Sequence, residues 1–209
     1  MAMTIPGIVL AAGASRRLGQ NKLLIRVGGH SVLYHVLNTA LAAPLDPIIL
    51  VLGYEAEKAL AAIARLKDSP KLRIVVNAQW ERGRAESLKV GLTAVPPYAP
   101  GALVLLGDMP LMTSALIARV ATAFLDTKKL CFPVYRGSAG RPVAIPRELF
   151  SEFARLHSDE SGLKIIQKYW DTAVKLELTP DEEPTQWDID APEDLQSFLT
   201  MTNASSPSL

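Results

Sequence analysis

The sequence predicts a three-layer α/β fold of Rossmann-like type, a mostly parallel central sheet between two layers of helices, and three observations carry that reading. Short runs that are apolar on both faces alternate with stretches whose apolar residues recur at helical spacing, the pattern of a parallel sheet covered on both sides. Of the 209 residues, 49% are hydrophobic, enough to fill an extended core, and the length fits one domain over residues 1–201. The first apolar run ends in a glycine-rich, cationic loop, and open α/β sheets bind ligands outside the carboxyl ends of their strands.

Taken in order, Thr4–Leu10 reads as the first strand, and Ser31 is placed to cap a helix whose apolar face is Val32, Leu33, Val36, Leu37, Ala40 and Leu41. A strand at Pro47–Leu52, a helix from about Glu55 to Leu66, a strand at Leu72–Val76 and a helix from about Ala85 to Ala94 continue the alternation. The proline-rich stretch Pro96–Pro100 reads as a rigid loop within it. Ala102–Leu106 is the fourth strand, and Thr113 caps a helix through Leu125. After residue 130 the rhythm changes. Leu130–Val134 and Val143–Ile145 are short strands, followed by helices over Arg147–Leu156 and about Ser161–Trp170. A strand at Ala173–Leu178 and a helix over Pro192–Leu199 come last, and the small polar tail 202–209 is expected to fray.

Composition excludes several functions. With 22 Lys and Arg against 21 Asp and Glu, the net charge of +1 provides no field to hold DNA or RNA, so anion binding must be local. No secretory signal or membrane-length apolar run is visible, so a cytoplasmic protein is expected. Cys131 stands alone in an apolar run and reads as a small buried hydrophobe. His30, His35 and His157 lack metal-ligand spacing.

The loop Leu10-Ala11-Ala12-Gly13-Ala14-Ser15-Arg16-Arg17-Leu18-Gly19-Gln20-Asn21-Lys22 is suited to phosphates. Gly13 and Gly19 let backbone N–H groups turn toward a polyanion, while Arg16, Arg17 and Lys22 supply charge. Its spacing matches neither G-x-x-x-x-G-K-[ST] nor G-x-G-x-x-G, which disfavours P-loop and dinucleotide-binding proteins. Gly107-Asp108-Met109-Pro110 ends the fourth strand at the same crevice. There Asp108 either opens a turn or shares a hard cation with substrate phosphates. Within Trp187-Asp188-Ile189-Asp190-Ala191-Pro192-Glu193-Asp194, strand-like alternation puts Asp188 and Asp190 on one side, while Glu193 and Asp194 suit a helix start. Trp80 either covers a base or plugs the sheet.

Together these elements resemble the nucleotidyltransferases related to the molybdenum cofactor guanylyl- and cytidylyltransferases, within the nucleotide-diphospho-sugar transferase fold type. The resemblance runs from Leu10 to Leu199. The L-A-A-G-x-S-x-R-[ML]-G-x-x-K loop falls on Leu10, Ala11, Ala12, Gly13, Ser15, Arg17, Gly19 and Lys22, and G-D-x-P on Gly107 and Asp108. N-x-x-W-x-x-G followed by S-L falls on Asn77, Trp80, Gly83 and Ser87, the cytidylyl pattern, whereas Met109 is the residue common in the guanylyl branch. Met109 apart, these positions are implied to bind nucleotide, with Lys22, Arg17 and Asp108 catalytic and Asp108 and Asp190 holding Mg²⁺.

The acceptor loop falls on Gly140, Arg141 and Pro142, and Asp159 and Lys164 stand in an altered acceptor element. Residues 1–128 are thus implied to form a nucleotide half and 129–201 an acceptor half. The chain departs from the pattern at Glu86, at Ala191 and across Ser158–Lys164. The closest resemblance is to CTP:molybdopterin cytidylyltransferases, which implies CTP, a molybdopterin-type acceptor and a molybdoenzyme client. Alternatives are a guanylyltransferase, transfer to a sugar phosphate or another phosphorylated metabolite, and a non-catalytic protein that delivers nucleotide or cofactor.

Overall fold

The computed structural model describes residues 4–158, 160–190, 193, 194 and 196. Asp159, the tail 202–209 and most of the helix expected over Pro192–Leu199 lie outside them.

The elements run β1 (Ile5–Ala11), β2 (Arg26–Val27), β3 (His30–Ser31), α1 (Val32–Ala42), β4 (Leu45–Leu52), α2 (Ala56–Ala62), β5 (Leu72–Val76), α3 (Arg84–Ala94), β6 (Gly101–Leu106), α4 (Ser114–Thr127), β7 (Cys131–Tyr135), β8 (Ser138–Ala139), β9 (Val143–Pro146), α5 (Phe150–Ala154), α6 (Leu163–Lys168) and β10 (Val174–Glu177). Ser31 Oγ accepts from the Tyr34 amide at 3.1 Å and Thr113 Oγ1 from the Leu116 amide at 3.2 Å. Both are the caps that the sequence predicts, and each satisfies an amide that the first helical turn leaves without a partner.

The main sheet has the order β10-β7-β9-β6-β1-β4-β5, with β8 paired to β7. The pairs β1 with β4, β1 with β6, β4 with β5 and β7 with β10 are parallel, whereas β9 is antiparallel to both β6 and β7. This is the mostly parallel sheet expected, and its antiparallel members, β8 and β9, lie where the alternating rhythm breaks. One face packs Ile5, Val9, Ile48 and Leu50 against Leu33 and Leu37 of α1 and Leu116, Ile117 and Phe124 of α4. The other packs Ile8, Ile49 and Phe132 against Leu88 of α3, Phe153 of α5 and Ile166 of α6. Each side chain removed from water at these layers contributes roughly 1.5–3 kcal/mol relative to exposure. Cys131 is fully buried, and burial pushes its thiol pKa up, as the reading of an inert small hydrophobe requires.

Helices α2, α5 and α6 are shorter than their apolar patterns suggest, because α2 gives way to turns after Ala62 and α5 begins only after a 3₁₀ turn at Arg147–Leu149. Among the described residues no helix is long and apolar enough to cross a membrane.

Candidate active site

From β1 the chain steps to β4 on one side, and later to β6 on the other, so a crevice opens where the strand order diverges. Leu10 pairs with Leu106, and the Gly107 amide donates to the Leu10 carbonyl at 2.9 Å. The loop after β1 and Asp108 therefore leave the sheet side by side. Arg16–Leu18 forms a 3₁₀ turn closed by Gly19 at φ +65°, a conformation that side-chain-bearing residues rarely adopt. Ser15 Oγ accepts from the Lys22 amide at 3.2 Å, and Asn21 Oδ1 accepts from the Leu23 amide at 3.2 Å. The loop is thus folded on itself, with Lys22 held at its end.

Lys22 Nζ lies 2.6 Å from Asp108 Oδ2 and 2.6 Å from Asp190 Oδ1, and Arg17 Nη1 lies 3.3 Å from Asp190 Oδ2. The Lys22 and Asp108 side chains are each 12% exposed, whereas that of Arg17 is 80% exposed. Burial opposes the Lys22 charge, but the Asp108 and Asp190 carboxylates outweigh it and hold the pKa above the ordinary lysine value. The Lys22 hydrogen bond holds Asp190 below the usual carboxylate range. Asp188 is an exposed residue at the edge of this cluster. Desolvation, followed by the charges of Asp108 and Asp190, pushes its pKa up. The Ile189 amide donates to the Asp108 carbonyl at 3.1 Å, locking the acidic segment onto the end of β6.

Asp108, Asp188 and Asp190 bring carboxylate oxygens within 4.8 Å of one another, and Asp108 Oδ1 is buried with no hydrogen-bond partner. Converging anionic oxygens, one of them unpaired, suit a hard divalent cation, which takes oxygen ligands and relieves the mutual repulsion of the acids.

A cavity of about 640 Å³ adjoins this cluster. Its wall includes Leu10, Ala11, Ala12, Gly13, Ser15, Arg17, Lys22, Trp80, Gly83, Ser87, Asp108, Arg141 and Asp190 from the residues expected in sequence. Gly19, Asn77, Gly107, Gly140, Pro142 and Lys164 do not line it. Asn77 is buried beneath the wall, where its Nδ2 donates to Ser87 Oγ at 3.0 Å. Gly140 and Arg141 are clasped by Gln186, whose Oε1 accepts from the Arg141 amide at 2.6 Å and whose Nε2 donates to the Arg141 carbonyl at 2.7 Å. Lys164 points outward, 74% exposed and 3.6 Å from Glu160. Glu86 faces Lys89 at 4.0 Å and stays off the cavity wall, so it does not oppose an anion there.

Three contributions escape a reading by motif. Asp188 completes the acidic cluster and was legible only as the alternation partner of Asp190. Arg84 lines the cavity from the start of α3. An apolar arm formed by Val104, Val143, Ile145, Phe153 and Ile166 extends the cavity under α5 and α6, and in sequence these are ordinary core residues. Two of the three histidines have structural partners for their rings: His30 stacks on Tyr34 with centroids 4.1 Å apart, and His35 Nε2 donates to the Val27 carbonyl at 2.9 Å.

Known proteins share this arrangement of elements. Residues 7–174 match the MobA-like NTP transferase domain. Among curated relatives, the bifunctional protein GlmU of Anaeromyxobacter sp. (strain Fw109-5) is 30% identical over 169 residues, covering 75% of this chain and 34% of that protein. The chain thus spans about a third of the length of the curated relatives it matches. A homologue of Mycobacterium tuberculosis Rv0371c from Mycobacterium sp. strain JC1 has a TM-score of 0.80 at 28% identity, over 97% of this chain and 98% of that one. Rv0371c of M. tuberculosis H37Rv in complex with manganese has a TM-score of 0.74 at 28% identity, over 95% of this chain and 99% of that one. With the match extending from the first strand to the last, the chain belongs to the MobA-like NTP transferase family.

Proposed function

We propose that this protein is a nucleotidyltransferase that transfers CMP from CTP to the phosphate of a molybdenum-bound molybdopterin and releases pyrophosphate. The observation that carries the reading is the continuity of one cavity, cationic and acidic at the loop and apolar beneath α5 and α6. A polyanionic nucleotide suits the first end. The second suits the faces of a flat ring system, which pack against apolar side chains. The L-A-A-G opening and the Asn77, Trp80, Gly83 and Ser87 pattern support the cytidylyl branch.

A phosphate monoester has a second pKa near ~6, so the acceptor is already largely dianionic at neutral pH and needs no general base. Its oxygen attacks the α-phosphorus of CTP, the bond between the α-phosphorus and its bridging oxygen breaks, and pyrophosphate leaves. Lys22, Arg17 and the amides of the loop neutralise charge on the triphosphate and align it for in-line displacement. Asp108, Asp188 and Asp190 are the residues that would hold Mg²⁺, which supplies charge neutralisation at the phosphates when bound. Asn77 acts indirectly, by orienting Ser87 at the wall. In this division of labour residues 1–128 hold the nucleotide, and 129–201 hold the acceptor through Arg141 and the Gln186-clasped loop at Gly140, Arg141 and Pro142.

A second reading, transfer to another phosphorylated metabolite, is favoured by the outward position of Lys164, which leaves the acceptor end short of one expected cation. One experiment decides between them. The chain is incubated with each NTP, Mg²⁺ and either molybdenum-bound pterin or sugar phosphates, and the conjugate is identified by mass. A CMP–pterin product is expected, whereas turnover only with a sugar phosphate would replace it with the second reading.

A further inference from the structure

We propose that Arg84 joins Arg141 in forming the seat for the acceptor's dianionic phosphate. The inference rests on the reading of the chain as a nucleotidyltransferase with a phosphorylated acceptor, but not on that acceptor being a pterin.

Arg84 is the first residue of α3 and Arg141 follows the β7–β8 hairpin, yet both line the same cavity. The other cations on the wall belong to the glycine loop: Lys22 and Arg17 are already paired with Asp108 and Asp190, and Arg16 sits beside them in the loop read as the triphosphate's. Among the described residues, neither Arg84 nor Arg141 has a carboxylate within salt-bridge distance. The only side-chain hydrogen bond between them is from Arg141 Nη1 to the Gly140 carbonyl, at 3.1 Å. Two guanidinium groups facing one cavity repel each other, and burial together with the Arg84 charge pulls the Arg141 pKa down against the opposing charges of Asp108 and Asp188, which lie beyond salt-bridge distance. An anion between them removes that cost. A phosphate dianion also suits two planar donor forks better than a carboxylate or hydroxyl does.

Placement matches the reaction. Arg141 feels the charges of Asp108 and Asp188, and Arg84 acts on Asp190, so a phosphate held by both lies beside the acidic cluster. The apolar arm, through Val143 and Ile145, continues from the Arg141 side, where the rest of the acceptor would extend. The Gln186 clasp fixes the backbone of Arg141, whereas Arg84 is exposed and has the reach to close on a ligand.

The test is a calorimetric titration of inorganic phosphate into the full chain preloaded with Mg²⁺ and α,β-methylene-CTP, which cannot turn over. Saturable phosphate binding is expected alongside the bound nucleotide analogue. Arg84→Met should weaken it at least about tenfold, and by a larger factor than it weakens the analogue. Arg84→Lys, which keeps the charge and loses the fork, should fall between the two and controls for folding. Displacement of phosphate by the analogue, or equal losses for both ligands, would overturn the proposal by placing Arg84 at the triphosphate. If these results hold while pterin transfer fails, the phosphate seat stands and only the identity of the acceptor changes.

Discussion

Lys22 Nζ donates to Asp190 Oδ1 at 2.6 Å across 168 residues of sequence, and the same ammonium lies 2.6 Å from Asp108 Oδ2. One cation therefore joins the glycine loop, the end of β6 and the acidic segment after residue 186. A phosphate or a divalent cation entering the site must compete with these contacts. Loading the site thus exchanges partners among charges already in place, which limits the reorganisation needed when the transition state forms.

Lys22→Ala should reduce kcat by roughly 10²–10³, about 3–4 kcal/mol, the size seen when one preorganised electrostatic group is lost. Steady-state kinetics on a variant with wild-type circular dichroism checks this. Near-normal turnover would remove Lys22 from the chemistry.

The same variant leaves two carboxylates without their shared counter-ion. Breaking a fully buried pair costs about 3–5 kcal/mol, and because the Asp190 side chain is 33% exposed, roughly 2 kcal/mol is expected here. A divalent cation bound by the acids should restore much of it. Thermal unfolding with and without Mg²⁺ should show a larger metal-induced rise in Tm for Lys22→Ala than for the wild type. An equal rise would place the metal elsewhere.

Much of this was legible in sequence for a physical reason. Strands buried on both faces and helices with capped starts, such as α1 after Ser31 and α4 after Thr113, leave strong periodic signals. The β2–β3 and β7–β8 hairpins leave none, because strands of two residues carry no period. Their turns show only in the backbone. Gly28 and Gly29 have φ values of 56° and 85°, and Arg136 and Gly137 of 49° and 73°, two positive values in succession as a tight hairpin demands. At the site, Asp108 and Asp190 were legible as motifs, but the convergence of Asp188 and the apolar arm depends on tertiary packing. Lys164 shows the limit of carrying a role over by position: its place in the chain matches a cation of the relatives, while its side chain faces solvent.

Asp108→Asn should abolish metal-dependent turnover, since the swap is nearly isosteric and mainly removes charge from the most buried of the three acids. Asp188→Asn should weaken metal binding by at least the ~10–100-fold that loss of an outer-shell partner costs. Mn²⁺ binding followed by paramagnetic resonance measures both without relying on turnover. Unchanged Mn²⁺ affinity in both variants would leave Asp108 as a turn residue only.

Away from the site, Arg119 of α4 donates to both Glu182 oxygens and, through Nη2, to the Glu177 carbonyl at 3.1 Å. The Arg119 hydrogen bond holds the Glu182 pKa below the ordinary carboxylate value. A depressed acid stabilises the fold above its unfolded pKa, about 4.3 for Glu, and that stabilisation is lost as pH falls through the folded value. Because Arg119 is 39% exposed, only about 0.5–1 kcal/mol is expected. Glu182→Gln should cost that much at pH 7 and little at pH 3, as read by urea unfolding. An equal cost at both pH values would mean that packing, not charge, is what the substitution removes.

The final prediction concerns the base. Ala12 is 4% exposed, and a Cβ built on Gly53 would lie 2.8 Å from the Ala12 methyl and 2.6 Å from Trp80 Cβ, so the three residues meet in one tight layer. Trp80 packs edge-on against Tyr54, with centroids 5.1 Å apart, which supports it in that layer. A rigid layer carrying one methyl more than glycine favours the smaller ring of a pyrimidine. Met109, the residue that sequence alone would weigh toward guanine, is 3% exposed in the core beside α4, where its identity bears on packing and not on the base. CTP should therefore exceed GTP in kcat/KM by the ~1–3 kcal/mol that shape-based selection supplies. Ala12→Gly should narrow the gap by lowering the floor. Equal values for the two nucleotides in the wild type, or a gap that Ala12→Gly leaves untouched, would move base selection away from this layer.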